Sequence, residues 1–264
     1  MTKNQHPIGF FDSGVGGTSI WKEMIQLLPN ENTVYLADSK HAPYGQKTTD
    51  EIIVLSEKNT ELLLNKNCKI IVVACNTATT NAISHLRKKY KIPFIGIEPA
   101  IKPAALQTQT KAVGILATQG TLSSELFAKT SGKFARDIKI VEQQGTGLVE
   151  LIESNQINTD KINLLLQEYL YPMLDNNIDH LILGCTHYPY LIPQIKKIIG
   201  NQVTIIDSGY AVSRQIQSVL TQNQLLNSQT TTPEYRFYTN KNPQVLQDLL
   251  HTINKPLQIE YLDF

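Results

Sequence analysis

Two periodicities alternate along the chain. Short apolar, β-branched runs such as IIVVA and VGILA predict the strands of a parallel sheet. They lie at 8–11, 33–37, 70–74, 94–97, 112–116, 138–141, 181–183 and 203–206. Between them, Lys, Glu and Gln interleave with apolar residues at helical spacing, for example over 49–66, 77–90, 121–132, 160–176 and 208–221, with a further helix starting near Ser19. Strands alternating with such helices predict βαβ units.

The punctuation also repeats. FFDSGVGGTS corresponds to ILATQGTLSS at an offset of 118 − 12 = 106, VACNTA to LGCTHY at 185 − 75 = 110, and GIEPAI to IIDSGY at 207 − 98 = 109. Near-constant offsets predict two copies of one unit. The expected fold is therefore α/β, with two pseudo-symmetric domains, each a mainly parallel sheet flanked by helices, and an active site in the cleft between them. Residues 98–207 form the second domain. Residues 1–97 form the first, joined by 208–264, where a helix pattern after Asp207, the polar linker NSQTTTP, the run EYRFYT and a helix pattern at 243–253 return to it.

Composition narrows the function classes. The 264 residues suffice for one large or two medium domains, and 24 basic against 23 acidic residues leave a net charge of +1, with no field to gather nucleic acid or a membrane surface. The start MTKNQHP is short and polar, and no apolar stretch approaches bilayer length, so a cytoplasmic location is expected. Three cysteines, Cys68, Cys75 and Cys185, are too few and too irregular for a disulfide framework.

Cys75 and Cys185 each end an apolar run and open a polar turn, the place where open α/β sheets put their chemistry. A free cysteine is usually a small buried hydrophobe, and Cys68 reads that way. The other two stand where backbone N–H groups of a starting helix favour an anion, which lowers a thiol pKa, and His187 follows Cys185 by two residues. His187 reads either as a proton partner or as a loop histidine. A zinc shell of Cys185, His187, Cys75 and Asp12 lacks CxxC-like pairing and histidine content, so no metal is expected. DSGVGGTS is neither a Walker loop nor a GxGxxG fingerprint, yet its glycines expose N–H groups suited to a small anion. Asp12 is a helix N-cap, or it accepts a proton or binds a substrate ammonium. The turns at 42–45 and 118–121 are ordinary caps or substrate contacts.

The set FFDSGVGG, DSKHAPYG, ACNTA, ATQGT, LGCTHYP and DSG, in this order and spacing, resembles the glutamate racemases of the aspartate/glutamate racemase superfamily over essentially the whole chain. The resemblance implies a cofactor-independent homodimer that interconverts L- and D-glutamate, the D-isomer serving peptidoglycan synthesis. It implies that Cys75 and Cys185 are the catalytic thiols, with Asp12 the partner of Cys75 and His187 that of Cys185. Ser13, Pro43, Tyr44, Gly45, Asn76, Thr77, Thr118, Thr121 and Thr186 match substrate-binding positions. Glu153 matches an acid near His187, but QGTGLVELIES departs from the usual Cys-Pro version at Gly145-Thr146, which leaves Glu150 as a rival. Aspartate racemases resemble GCTE at the second cysteine, where this chain has Gly184-Cys185-Thr186-His187. Members that need a cell-wall precursor as activator carry an amino-terminal extension that the residues before Ile8 do not provide, so activity without one is expected.

Two thiols on opposite faces of the α-carbon would meet the geometric need of racemisation, removal of a proton from one face and delivery to the other. Rival readings are a racemase or isomerase acting on aspartate or another small acid, a two-lobed amino-acid-binding protein, and a thiol hydrolase that leaves one cysteine unexplained.

Overall fold

The computed structural model describes residues 3–134, 136–228 and 232–264. Among them the chain forms two fully parallel sheets. The strands are β1 Ile8–Asp12, β2 Thr33–Ala37, β3 Ile70–Val73, β4 Phe94–Gly96, β5 Ala112–Ala117, β6 Lys139–Gln144, β7 His180–Gly184, β8 Thr204–Ile206, β9 Tyr235–Thr239 and β10 Leu257–Tyr261. The helices are α1 Thr18–Leu27, α2 Thr49–Asn65, α3 Asn76–Lys89, α4 Ile101–Gln107, α5 Gln119–Leu122, α6 Glu125–Gly132, α7 Leu148–Glu153, α8 Asp160–Asp175, α9 Ile192–Ile199, α10 Gly209–Gln222 and α11 Gln244–Leu250.

The first sheet has the order β10-β9-β2-β1-β3-β4 and the second β6-β5-β7-β8. The second repeats the inner order β2-β1-β3-β4 of the first, so β1 corresponds to β5 and β3 to β7. Strands β1, β2, β3, β5 and β7 are buried along their whole length. Their uninterrupted apolar runs follow from helices covering both faces. Trp21 of α1 anchors one such cover, meeting Tyr235 and Phe237 edge-on at 5.3 and 4.8 Å while its indole N–H donates to Thr33 Oγ1 at 3.0 Å.

Helix ends follow local chemistry. At the start of α2, Thr48 and Glu51 form a reciprocal capping box. Cys75 itself caps α3, its Sγ accepting from Ala78 N at 3.4 Å. The single helix expected at 121–132 is two, because Ser124 Oγ accepts from Phe127 N at 3.2 Å and starts α6 afresh. The run EYRFYT becomes β9, and β10 extends the first sheet beyond what the apolar pattern announces. Part of the linker read at 227–233, namely 229–231, lies outside the described residues. No described helix is long and apolar enough to cross a membrane.

Candidate active site

In parallel sheets every strand delivers its carboxyl end to the same edge, and here the two edges meet. Asp12 ends β1, Cys75 follows β3, Thr118 follows β5 and Cys185 follows β7. One small cavity is lined by Ser13, Pro43, Tyr44, Gly45, Cys75, Asn76, Thr77, Thr118, Cys185, Thr186 and His187, together with Val149. Both cysteines are free and buried. Cys68 is remote from this cavity, packed among apolar side chains at the start of β3, where burial pushes its thiol up to about 12.

The two thiols are supported differently. Cys75 reaches Ser13 Oγ at 3.6 Å and lies within reach of the Asp12 carboxyl. Burial, reinforced by the charge of Asp12, holds its pKa well above that of an ordinary thiol. Burial likewise raises Asp12 to about 6, against the opposing pull of His187 and the Gly17 N–H. Cys185 faces the imidazole of His187, with Sγ 3.7 Å from Nδ1. The other ring nitrogen of His187 is 2.7 Å from Glu153 Oε1. Burial alone would lower the His187 pKa, but hydrogen bonds to Cys185 and Glu153 outweigh it and carry the imidazole well above its usual value. Burial would raise Glu153, and the His187 contact with the Val15 N–H bond reverses that sign. A charged imidazolium between Glu153 and Cys185 satisfies all of these contacts.

The glycine loop has a different task from the one its N–H groups suggested. Gly14 N and Gly17 N donate to Asp12 Oδ2 at 3.3 and 3.0 Å, and Val15 N donates to Glu153 Oε1 at 2.6 Å, so protein carboxylates occupy these donors. A Cβ on Gly14 would come within 1.8 Å of Glu153 Oε1, and one on Gly16 within 2.2 Å of His187 Nδ1. Glycine is required here because the loop lies directly against the Glu153–His187 pair.

Of the two acids on α7, Glu153 is the one beside His187. Glu150 instead accepts from Gln46 Nε2 at 2.7 Å near the surface. Thr121 stands behind the cavity wall in a triangle of hydroxyls, Thr77 to Thr118 at 2.8 Å, Thr77 to Thr121 at 3.3 Å and Thr118 to Thr121 at 3.1 Å. Thr186 Oγ1 donates to Asp12 Oδ1 at 3.4 Å. Asn76 has both amide atoms buried without a hydrogen-bond partner among the described residues, an arrangement that costs stability unless a ligand completes it. No group of three or more His, Cys, Asp or Glu side chains among the described residues is placed to hold a metal ion.

A sequence model of the Asp/Glu/Hydantoin racemase family matches residues 13–216. The glutamate racemase of Ectopseudomonas mendocina (strain ymp) is 45% identical over 251 residues, 95% of each chain. The chain belongs to the glutamate racemases of that family. Solved structures share its architecture. The glutamate racemase isoform RacE1 of Bacillus anthracis superposes with a TM-score of 0.86 at 29% identity, covering 99% of this chain and 98% of that one. The glutamate racemase of Francisella tularensis, solved in complex with D-glutamate, gives 0.82 at 32% identity over 97% and 98%. This racemase is accordingly an isomerase, and its pair of parallel sheets is that of its relatives.

Several contributors to the site carry no motif signal. Val149 lines the cavity as an ordinary apolar residue of α7. Tyr190 OH meets Thr18 Oγ1 at 2.5 Å, and Ser19 Oγ donates to the Thr186 carbonyl at 2.9 Å, so α1 is tied to the turn after Cys185. Hydroxyl residues in helix and turn positions give no hint of such partners until the fold is known.

Proposed function

We propose that this racemase inverts glutamate by a two-thiol mechanism in which Cys75 and Cys185 serve opposite faces of the α-carbon. The observation that carries the reading is that both sulfurs border one cavity while each has its own proton partner. For L-glutamate, Cys185 as thiolate takes the Cα proton with the His187 imidazolium beside it, and the Cys75 thiol delivers a proton to the other face. For D-glutamate the roles exchange: Cys75 as thiolate takes the Cα proton and the Cys185 thiol delivers one, with Asp12, raised to about 6, a stronger base beside Cys75 than an ordinary carboxylate. Glu153 holds His187 in orientation. Ser13, Pro43, Tyr44, Gly45, Asn76, Thr77, Thr118 and Thr186 bind the carboxylates and ammonium, with the unpartnered Asn76 amide as a direct contact, while Thr121 supports the Thr77 and Thr118 hydroxyls from behind. Donors fixed around the α-carboxylate stabilise the carbanion in a site closed to water.

Glutamate as the substrate is supported by the D-glutamate complex of the Francisella tularensis relative and by His187 after the second Cys-Thr. The product D-glutamate serves peptidoglycan synthesis in the cytoplasm, the enzyme works as a homodimer, and its domains divide as 1–97 with 208–264 and 98–207.

The thiol pair is tested in D2O. Early product should carry deuterium at Cα while recovered substrate stays largely protiated; equal labelling of both pools would mean a single base. Cys185→Ala should abolish racemisation while Cys75 still exchanges the Cα proton of D-glutamate with solvent. Two-way turnover by that variant rejects the mechanism.

A further inference from the structure

The loop Pro43–Gly45 is held from behind by a residue that no motif announces. Tyr44 lines the cavity, yet its hydroxyl is committed to Asp38 Oδ2 and also accepts from Asn59 Nδ2 at 3.2 Å. Asp38, 1% exposed, sits just after β2, and its other oxygen receives Asn240 Nδ2 at 2.6 Å and His41 Nδ1 at 2.6 Å. Asn240 follows β9, which pairs with β2, and its own N–H bonds the Ala37 carbonyl at 3.4 Å. Its side-chain oxygen accepts from Lys40 N at 2.8 Å, and its Nδ2 also donates to the Phe264 carbonyl at 3.0 Å. One amide, 4% exposed, thus grips both the backbone and the carboxylate of the segment leading into the loop.

We propose that Asn240 is a positioning residue for racemisation: acting through Asp38, it fixes Tyr44 and so sets the Pro43–Gly45 loop against the substrate. This rests on the reading that the loop touches glutamate. The amide donates to the buried Asp38 carboxylate and accepts from Lys40 N, so removing it leaves a buried acceptor and a part-buried donor underpaired in the same turn. The carboxylate that braces Tyr44 is then free to shift, and the loop shifts with it. A displaced binding loop weakens ground state and transition state alike, which appears in KM before kcat.

The experiment measures kcat, KM and Tm, in both directions, for Asn240→Leu, Tyr44→Phe, their double variant and Gly45→Ala. Asn240→Leu and Tyr44→Phe should each raise KM about tenfold with a smaller change in kcat. The double variant should be no worse than the worse single one, since both act through Asp38. A lowered Tm with unchanged KM in Asn240→Leu, or additive effects in the double variant, overturns the proposal. If Asn240→Leu does not fold, Asn240→Asp, which keeps the size and the acceptor for Lys40, is read by the same criteria. Gly45→Ala separates the two levels, because its methyl would meet Thr118 Cβ at 2.8 Å. If it raises KM while the Asn240 variants do not, the positioning role alone falls; if it leaves KM unchanged, the loop does not contact glutamate and the site reading falls too.

Discussion

Asp12 and His187 share one buried cluster but are moved for different reasons. Desolvation dominates Asp12, raising it from 3.8 to about 6, whereas partners dominate His187. Two opposite pH dependences follow. Because the native state keeps the Asp12 proton longer than the unfolded chain, this group's stabilisation is fully present below about 3.8 and is lost as pH rises through about 6. Catalysis needs Asp12 as carboxylate to accept the Cys75 proton, so activity rises over the same window. We therefore expect kcat/KM to fall on the acid side with an apparent pKa near 6. L- and D-glutamate have equal free energy, so the two values of kcat/KM must match at every pH and the limb must appear in both directions. Asp12→Asn should remove the limb and lower kcat by roughly 10²- to 10⁴-fold, the range for loss of a general base. A limb near pH 6 that survives in Asp12→Asn would assign it to another group.

At the level of elements, the ends of the strands opposite the cysteines are fastened by a buried ion pair. Lys69, just before β3, is fully buried and meets Glu31 Oε2 at 2.5 Å, the Asn4 carbonyl at 2.6 Å and the Leu225 carbonyl at 2.9 Å. Glu31 Oε1 accepts from Asn227 N at 2.8 Å. The pair joins the starts of β1, β2 and β3 to the return from α10. Breaking it strands a buried carboxylate, so Lys69→Met should destabilise by about 3–5 kcal/mol, and Lys69→Met with Glu31→Leu should recover much of that loss. Denaturant unfolding measures both. Activity per folded molecule should stay unchanged, because the pair lies at the far end of the strands from Cys75; a parallel loss of kcat would contradict this.

The same scale shows what the chain discloses before folding. A strand buried on both faces is legible as an apolar run, and its polar terminator is legible with it, so Cys75 after IIVVA and Cys185 after LILG stand out. β10 does not, because it is a half-covered edge strand whose LQIEY pattern is partly exposed. Glu150 and Glu153 are three residues apart on one short helix, too close in angle for periodicity to choose between them. Contact decides: Glu153 meets His187, and Glu150 meets Gln46. Asn240 is hidden for a third reason, since its partner Asp38 is 202 positions away and only the β2–β9 pairing brings them together.

Over the whole molecule, polar bonds draw the two sheets' catalytic edges together until little space is left between the thiols. Val15 N to Glu153, Ser19 to the Thr186 carbonyl and Thr18 to Tyr190 cross from one sheet's elements to the other's. At the crossings of the chain, Ser208 Oγ donates to the Glu98 carbonyl at 2.7 Å. The cavity between Cys75 and Cys185 is small, with room for about one water and far less than glutamate occupies. Substrate and product must therefore pass through a more open arrangement, and the exposed Gln46–Glu150 bond, which joins the loop after β2 to α7, is a clasp that such an opening would break. An exposed hydrogen bond of this kind contributes only about 0.5–1.5 kcal/mol, so the clasp biases the closed form by at most about tenfold and does not lock it. If opening limits turnover, kcat falls as added sucrose raises solvent viscosity, while the proton-transfer step is unaffected. Gln46→Ala should weaken that dependence and raise KM in both directions by less than about tenfold, because a looser clasp speeds release and holds the closed complex less firmly. A kcat that ignores viscosity in the native enzyme would make proton transfer, and not opening of the cleft, the slow step.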